Sequence, residues 1–177
     1  MLLTGTFHRS LDEKSRFALP KRLRDTLLKL GESGLYLAPG TDGSLALYPE
    51  NAFSALGGHL GHHSPTGQEV RTFSRLFYAQ AQRVEMDRQG RIRIPPELAR
   101  LAALEREVVL LGVRDHMEIW EQTRWQTYLE QYQPKYDEIA ESAFQPPPPS
   151  QVTNYVTGNN AGNEEQAEPL PAPAKPR

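Results

Sequence analysis

Apolar and polar residues alternate with a period of two over several short stretches of this chain. Val84 and Met86 alternate with Arg83, Glu85 and Asp87, and, a few residues on, Ile92 and Ile94 alternate with Arg91 and Arg93. Successive side chains of a strand point to opposite faces, so the segment reads as strand, turn, strand about Asp87, Arg88, Gln89 and Gly90. Pro95 and Pro96 stop the second strand and suit the first turn of a short helix carrying Leu98 and Leu101. Residues 108–113 and 117–120 form a further strand pair across Arg114 and Asp115. Nearer the N-terminus, Phe17 and Leu19 precede Pro20, and Leu23, Leu27, Leu28 and Leu30 line a helix ending at Gly31. Residues 35–38 and 45–48 flank the turn-rich PGTDGS.

Between these regions residues 57–67 are Gly-rich and read as loop, after which Val70, Phe73, Leu76 and Phe77 recur at helical spacing. Residues 120–143 are again helical in pattern, with Trp125, Tyr128, Leu129, Tyr132, Tyr136 and Ile139 available for packing. Those aromatics fit core or subunit contacts better than a base-stacking platform. Pro134 is expected to kink or divide the stretch. Of the 15 prolines, eight follow Ser142. The rest of that tail is rich in Asn, Gln, Glu and Ala, a composition too polar to offset the entropy of ordering, and it is expected to be disordered.

Set against itself at an offset of 75 residues, the chain pairs LDEKSRFALPKRLR, from Leu11, with MDRQGRIRIPPELA, from Met86. Asp12 falls on Asp87, Arg16 on Arg91, Phe17 on Ile92, Leu19 on Ile94, Pro20 on Pro95 and Leu23 on Leu98. With a three-residue gap Leu47 and Tyr48 then meet Ile119 and Trp120. An internal duplication accounts for this combination of identity, apolar parity and proline placement. The expected fold is α+β and mainly β, with two interlocked hairpin halves closing one pseudo-symmetric β-barrel with flanking helices. The segments are a first half at 5–52, a helical connector at 53–80, a second half at 81–124, a C-terminal helical region at 125–142 and the tail at 143–177.

A net charge of −2 does not mark a nucleic-acid binder, but its distribution changes the picture. Residues 9–29 hold seven Lys or Arg against three acids, and residues 83–100 hold five against three. Residues 101–142 hold four against nine. Local charge decides what a surface attracts, and both basic islands coincide with the repeated motif. Cys is absent, which removes disulfides, thiolate ligands and cysteine nucleophiles together. The N-terminal segment lacks the pattern of a signal peptide, and no apolar run approaches a membrane span. A cytoplasmic location is expected.

The tandem LDEKSRFALPKRLR and MDRQGRIRIPPELA closely resemble the MraZ family of bacterial transcription regulators, over residues 4–136. The resemblance implies paired AbrB-like swapped-hairpin halves and ring-like homo-oligomers at the nucleoid. It also implies recognition of short G-rich direct repeats in double-stranded DNA upstream of a cell-division and cell-wall gene cluster. The family's Asp-x-x-x-Arg elements match Asp12 and Arg16, and Asp87 and Arg91. A departure lies at Ser15, where the family carries Gly and where Gly90 keeps the pattern. If the position needs positive φ, Ser15 is strained or its turn is reshaped.

The chemistry of these residue types agrees. Arginines that open a strand after a turn, as Arg16 and Arg91 do, can donate paired bonds to guanine O6 and N7. Lys14 and Arg88, inside the turns, suit phosphate contacts. Asp12 and Asp87 can hold the turn through the backbone, fix the arginine, or accept from cytosine N4. The plain alternative is a structural Asp–Arg pair in a hairpin. No catalytic constellation is found. The two repeated acids lack the small-residue context of an aspartic-protease dyad, and His59, His62 and His63 lie in a Gly-rich loop without the convergent ligands a metal needs. Neither an enzymatic role nor a cofactor is expected. The competing reading is an antitoxin-like or scaffold interaction module using the barrel and tail.

Overall fold

The computed structural model describes residues 2–29, 31, 34–61 and 67–145. By internal contacts the chain divides into two units, Met1–Pro134 and Lys135–Arg177. The first unit opens with β1 (Leu3–Ser10), β2 (Arg16–Ala18), α1 (Lys21–Lys29), β3 (Leu35–Pro39), β4 (Leu45–Pro49) and α2 (Glu50–Gly61). After α3 (Gln68–Tyr78) the same order returns as β5 (Gln82–Val84), β6 (Arg91–Arg93), α4 (Pro96–Leu101), β7 (Glu107–Arg114), β8 (His116–Glu121) and α5 (Gln122–Tyr132). A single 3-10 turn at Gln133–Lys135 then precedes α6 (Tyr136–Ala143), so the helical pattern divides at Pro134 as the missing N–H of proline requires.

Six strands form an antiparallel sheet in the order β1-β7-β8-β4-β3-β5, and β2 pairs with β6 in a separate ribbon. That order reads alike from both ends when β1 is matched with β5, β7 with β3, and β8 with β4. β1 pairs along its length with β7, from Leu3 opposite Arg114 to Ser10 opposite Glu107. Reciprocally, β5 pairs with β3, placing Val84 opposite Leu35. Each half therefore lends a strand to the other. The expected closed barrel is not found among the described residues. The sheet ends at β1 and β5 with no ladder between them, and its apolar face is covered instead by the ribbon and the two short helices.

That face carries Leu35, Leu37, Leu45, Leu47, Val108, Leu110, Met117 and Ile119, packed with Phe17 and Ile92 of the ribbon, Leu23 and Leu27 of α1, and Leu98 of α4. Burying each such side chain contributes about 1.5–3 kcal/mol before the cost of ordering. The opposite face is covered too. Val109, Leu111 and Trp120 pack with Trp125 and Tyr128 of α5. Tyr36 stacks on Phe53 of α2 at 4.4 Å between ring centroids, and Tyr48 meets Phe77 of α3 edge-on at 6.2 Å. Two covered faces explain why β7 reads as the continuous run Val-Val-Leu-Leu and not as an alternation.

Several expectations need correction. Residues 57–61 continue α2 and are not loop. Of the leucines read onto the two short helices, Leu23, Leu27 and Leu98 are buried, whereas Leu28 and Leu101 are 59% and 51% exposed. Residues 146–177 of the proline-rich tail, and the side chains of His59, His62 and His63, lie outside the described residues, whereas Ala143, placed in that tail, ends α6. Among the described residues no helix is long and apolar enough to cross a membrane.

Candidate nucleic-acid interface

The two Asp-x-x-x-Arg segments fold into the same turn, atom for atom in their hydrogen bonds. In the first, Asp12 N donates to Arg16 O at 2.9 Å and Ser15 N to Asp12 O at 2.8 Å. In the second, Asp87 N donates to Arg91 O at 2.8 Å and Gly90 N to Asp87 O at 2.9 Å. These are three-residue hairpin loops whose last residue is left-handed, with φ of +55° at Ser15 and +75° at Gly90. Ser15 therefore adopts the strained conformation and the turn keeps its shape.

Each aspartate does two jobs at once. Asp12 Oδ1 accepts the backbone N–H groups of Lys14 and Arg16, both at 2.9 Å. Its Oδ2 accepts from Arg16 Nε at 2.8 Å and lies 2.7 Å from Nη2 in the ion pair. Asp87 repeats the pattern, with Oδ1 on the N–H groups of Gln89 and Arg91 at 2.9 Å and Oδ2 on Arg91 Nε at 2.8 Å. A short carboxylate that reaches its own backbone two and four residues on closes the loop locally, which is why this spacing needs Asp. The arginine is then held by its Nε side, and its Nη1 has no carboxylate partner among the described residues.

Electrostatics follows from this geometry. The Arg16 side-chain bond, together with the two backbone N–H donors, holds the Asp12 carboxyl down to about 2. The Asp87 carboxyl is lowered first by the Arg91 backbone N–H and then by the Arg91 guanidinium. Arg16 is pushed up by its bond to Asp12 and also feels the charge of Asp87, so the two turns share one field. Both carboxylates are ionised near neutral pH and neither is poised to exchange a proton there.

The ribbon places the turns together. Arg16 lies opposite Arg93, Phe17 opposite Ile92, and Ala18 opposite Arg91. Leu19 N donates to Gly90 O and Ile94 N donates to Ser15 O, both at 2.9 Å, so each turn is tied to the strand of the other half. Phe17 and Ile92, 1% and 0% exposed, anchor the ribbon in the core. Lys14 and Arg88 stand exposed on the loops. The first turn borders an open groove of about 740 Å³ shared with Ala99, Leu104, Glu105 and Arg106. The sequence reading missed Arg106 there, and it missed Arg24 of α1, which lies against the second turn at Gly90. The only sequence signal for Arg24 was its place in the first basic island.

Fold and turns together define a hairpin ribbon that displays two aspartate-held arginines from a buried anchor. Among the described residues no group of three or more His, Asp or Glu side chains is arranged to hold a metal. A family model described as "MraZ protein, putative antitoxin-like" matches residues 77–146. Similar proteins include one from Cutibacterium acnes, 37% identical over 143 residues, which span 81% of this chain and 92% of that protein. Another, from Heliobacterium modesticaldum, is 37% identical over 140 residues, 79% of this chain and 95% of that one. A third, from Mesoplasma florum, is 34% identical over 145 residues, 82% and 97% of the two chains. All three are named "Transcriptional regulator MraZ". The chain belongs to the MraZ family, whose members carry the name of a regulator and not of an enzyme.

Proposed function

We propose that the chain is a sequence-specific DNA-binding transcriptional regulator. It reads short G-rich direct repeats in double-stranded DNA through its Asp-x-x-x-Arg turns and acts on a cell-division and cell-wall gene cluster. In this reading residues 5–52 and 81–124 are duplicated AbrB-like swapped-hairpin halves. Arg16 and Arg91 contact guanine edges, Lys14 and Arg88 contact phosphate, and Asp12 and Asp87 hold both turn and arginine in place. The protein works in the cytoplasm at the nucleoid, as a ring-like homo-oligomer whose subunits occupy successive repeats.

The observation that supports this reading is the doubled turn itself. Two guanidinium groups are fixed on their Nε side by carboxylates, on one ribbon whose width suits the major groove. Arginine fixed in advance loses less freedom on binding than a free side chain. The test is a mobility-shift titration on duplexes selected by the chain from a random pool. Arg16→Ala and Arg91→Ala are expected to lose discrimination worth about 1–3 kcal/mol for each base contact while melting like the parent. Selected duplexes with one, two and three repeats should bind progressively more tightly, because subunits of one assembly contact them at high effective concentration. Unchanged binding by both arginine variants would reject the site, and equal affinity across the repeat series would reject avidity.

A further inference from the structure

The two turns share a frame but not their surroundings. Under the offset that maps Ser15 onto Gly90, Arg24 of α1 maps onto Ala99 of α4. The helices serve the turns crosswise. Ala99 borders the groove of the first turn, whereas Arg24 lies over Gly90 of the second. A Cβ at Gly90 would stand 2.6 Å from Arg24 Nη1 and 3.3 Å from its Cδ, so the guanidinium occupies the space that a turn side chain would fill. Where the turn has a side chain, at Ser15, the facing helix has alanine; where the turn has glycine, the helix supplies arginine.

Charge separates the turns further. Residues 12–16 hold two acids and two cations, and residues 87–91 hold one acid and two cations. Arg24 adds a third cation to the second turn. Among the described residues its ion-pair partner is Asp25, with Nε and Oδ1 3.9 Å apart, too long for a strong bond, and the side chain is 32% exposed. The first turn instead shares its groove with Glu105 as well as Arg106.

We propose that Arg24 and Arg88 form a phosphate-binding site beside the base-reading Arg91 at the second turn, which makes that turn the principal backbone grip and leaves the first as the weaker partner. This rests on the DNA-binding reading. Arg24 enters the site from the helix of the opposite half, takes no part in holding the turn, and contacts the phosphate backbone without reading sequence.

The test uses the full chain and fluorescence anisotropy on two duplexes of equal length, one selected by the wild-type chain and one scrambled, across a salt series. Arg24→Ala is expected to weaken binding to both duplexes by a similar factor, and to make log K against log salt shallower by about 0.9 for each phosphate that is no longer neutralised. Arg24→Lys keeps a charge there and should retain the slope. The double variant Ser15→Gly/Ala99→Arg transplants the arrangement to the first turn and should steepen the slope by a similar amount, which decides the matter even if Arg24→Ala fails to fold. If the wild-type chain enriches no duplex from the random pool, the regulator reading falls and the phosphate site with it. If the wild type binds while Arg24→Ala keeps its affinity and slope, or the transplant leaves the slope unchanged, the regulator reading stands and the phosphate site is overturned.

Discussion

Exchanging the residues at the last position of each turn should change stability in opposite senses and by unequal amounts. Ser15 sits at φ of +55°, where an L-residue costs about 1–2 kcal/mol relative to the right-handed region. Glycine avoids that cost but gives up about 0.5–1 kcal/mol of backbone entropy. The Ser15 hydroxyl makes no hydrogen bond among the described residues, so little else changes. Ser15→Gly is therefore expected to stabilise by about 0.5–1 kcal/mol, a rise of about 1–4 °C in Tm for a chain of this size. Gly90→Ser suffers the same conformational cost in reverse, and its Cβ would start 2.6 Å from Arg24 Nη1. It should lose about 1–2 kcal/mol, more than the first exchange gains. Thermal unfolding followed by circular dichroism, at one protein concentration because assembly shifts Tm, measures both. A fall in Tm for Ser15→Gly, or a neutral Gly90→Ser, would refute the argument from the left-handed turn.

Three further outcomes are expected. Gly112→Ala would place a Cβ 2.5 Å from Thr4 N and 2.7 Å from Leu3 C, against backbone that cannot swing aside. It should cost about 1–3 kcal/mol in denaturant titration, and a neutral result would mean that β1 slides easily on β7. His116 has Nε2 3.5 Å from Glu118 Oε1 and Nδ1 2.8 Å from Asp115 Oδ1, and these two carboxylates, Glu118 foremost, raise its pKa. Its stabilising charge is thus fully present below about pH 6.5, the unfolded value, and is lost as pH rises through the higher folded value. The Tm advantage of the wild type over His116→Gln should shrink as pH rises above about 6.5, and a constant gap would contradict the assigned ion pairs. Asp12→Asn can keep the Oδ1 bonds to the Lys14 and Arg16 N–H groups but presents an amide donor to the Arg16 guanidinium. Melting should change little while affinity for a selected duplex falls; equal affinity would limit Asp12 to shaping the turn.

What the sequence revealed was local, and what it hid was contact between distant segments. The turns were legible because Asp12 and Asp87 close them within five residues, and the repeat exposed Ser15 as the odd member. The hairpin strands were legible from alternation around Ile92 and from the apolar run of β7. β1 was not, because only Leu3 of its eight residues is buried and the strand exists through its pairing with β7. The open sheet was hidden for the same reason: alternation marks a buried face but does not say whether strand or helix covers it. Gly57 and Gly58 made the end of α2 look like loop, although α2 runs on through both. For Arg24, composition marked a basic helix, but nothing in the sequence placed that helix over the turn of the other half.

The exchange of β1 and β5 between the halves also bears on how the chain must be made. As synthesis proceeds, β1 emerges first and cannot pair until β7 is complete, since Leu3 meets Arg114. β3 likewise waits for Val84 before its outer edge is covered. The nascent first half is thus a set of unsatisfied edges, and its closing contacts carry the entropy of very long loops, which makes folding slow. During that wait the β7 of a neighbouring copy offers β1 the same register as its own. Crowded refolding or polysome synthesis therefore favours chains that exchange strands with each other, and dilution favours chains that close on themselves.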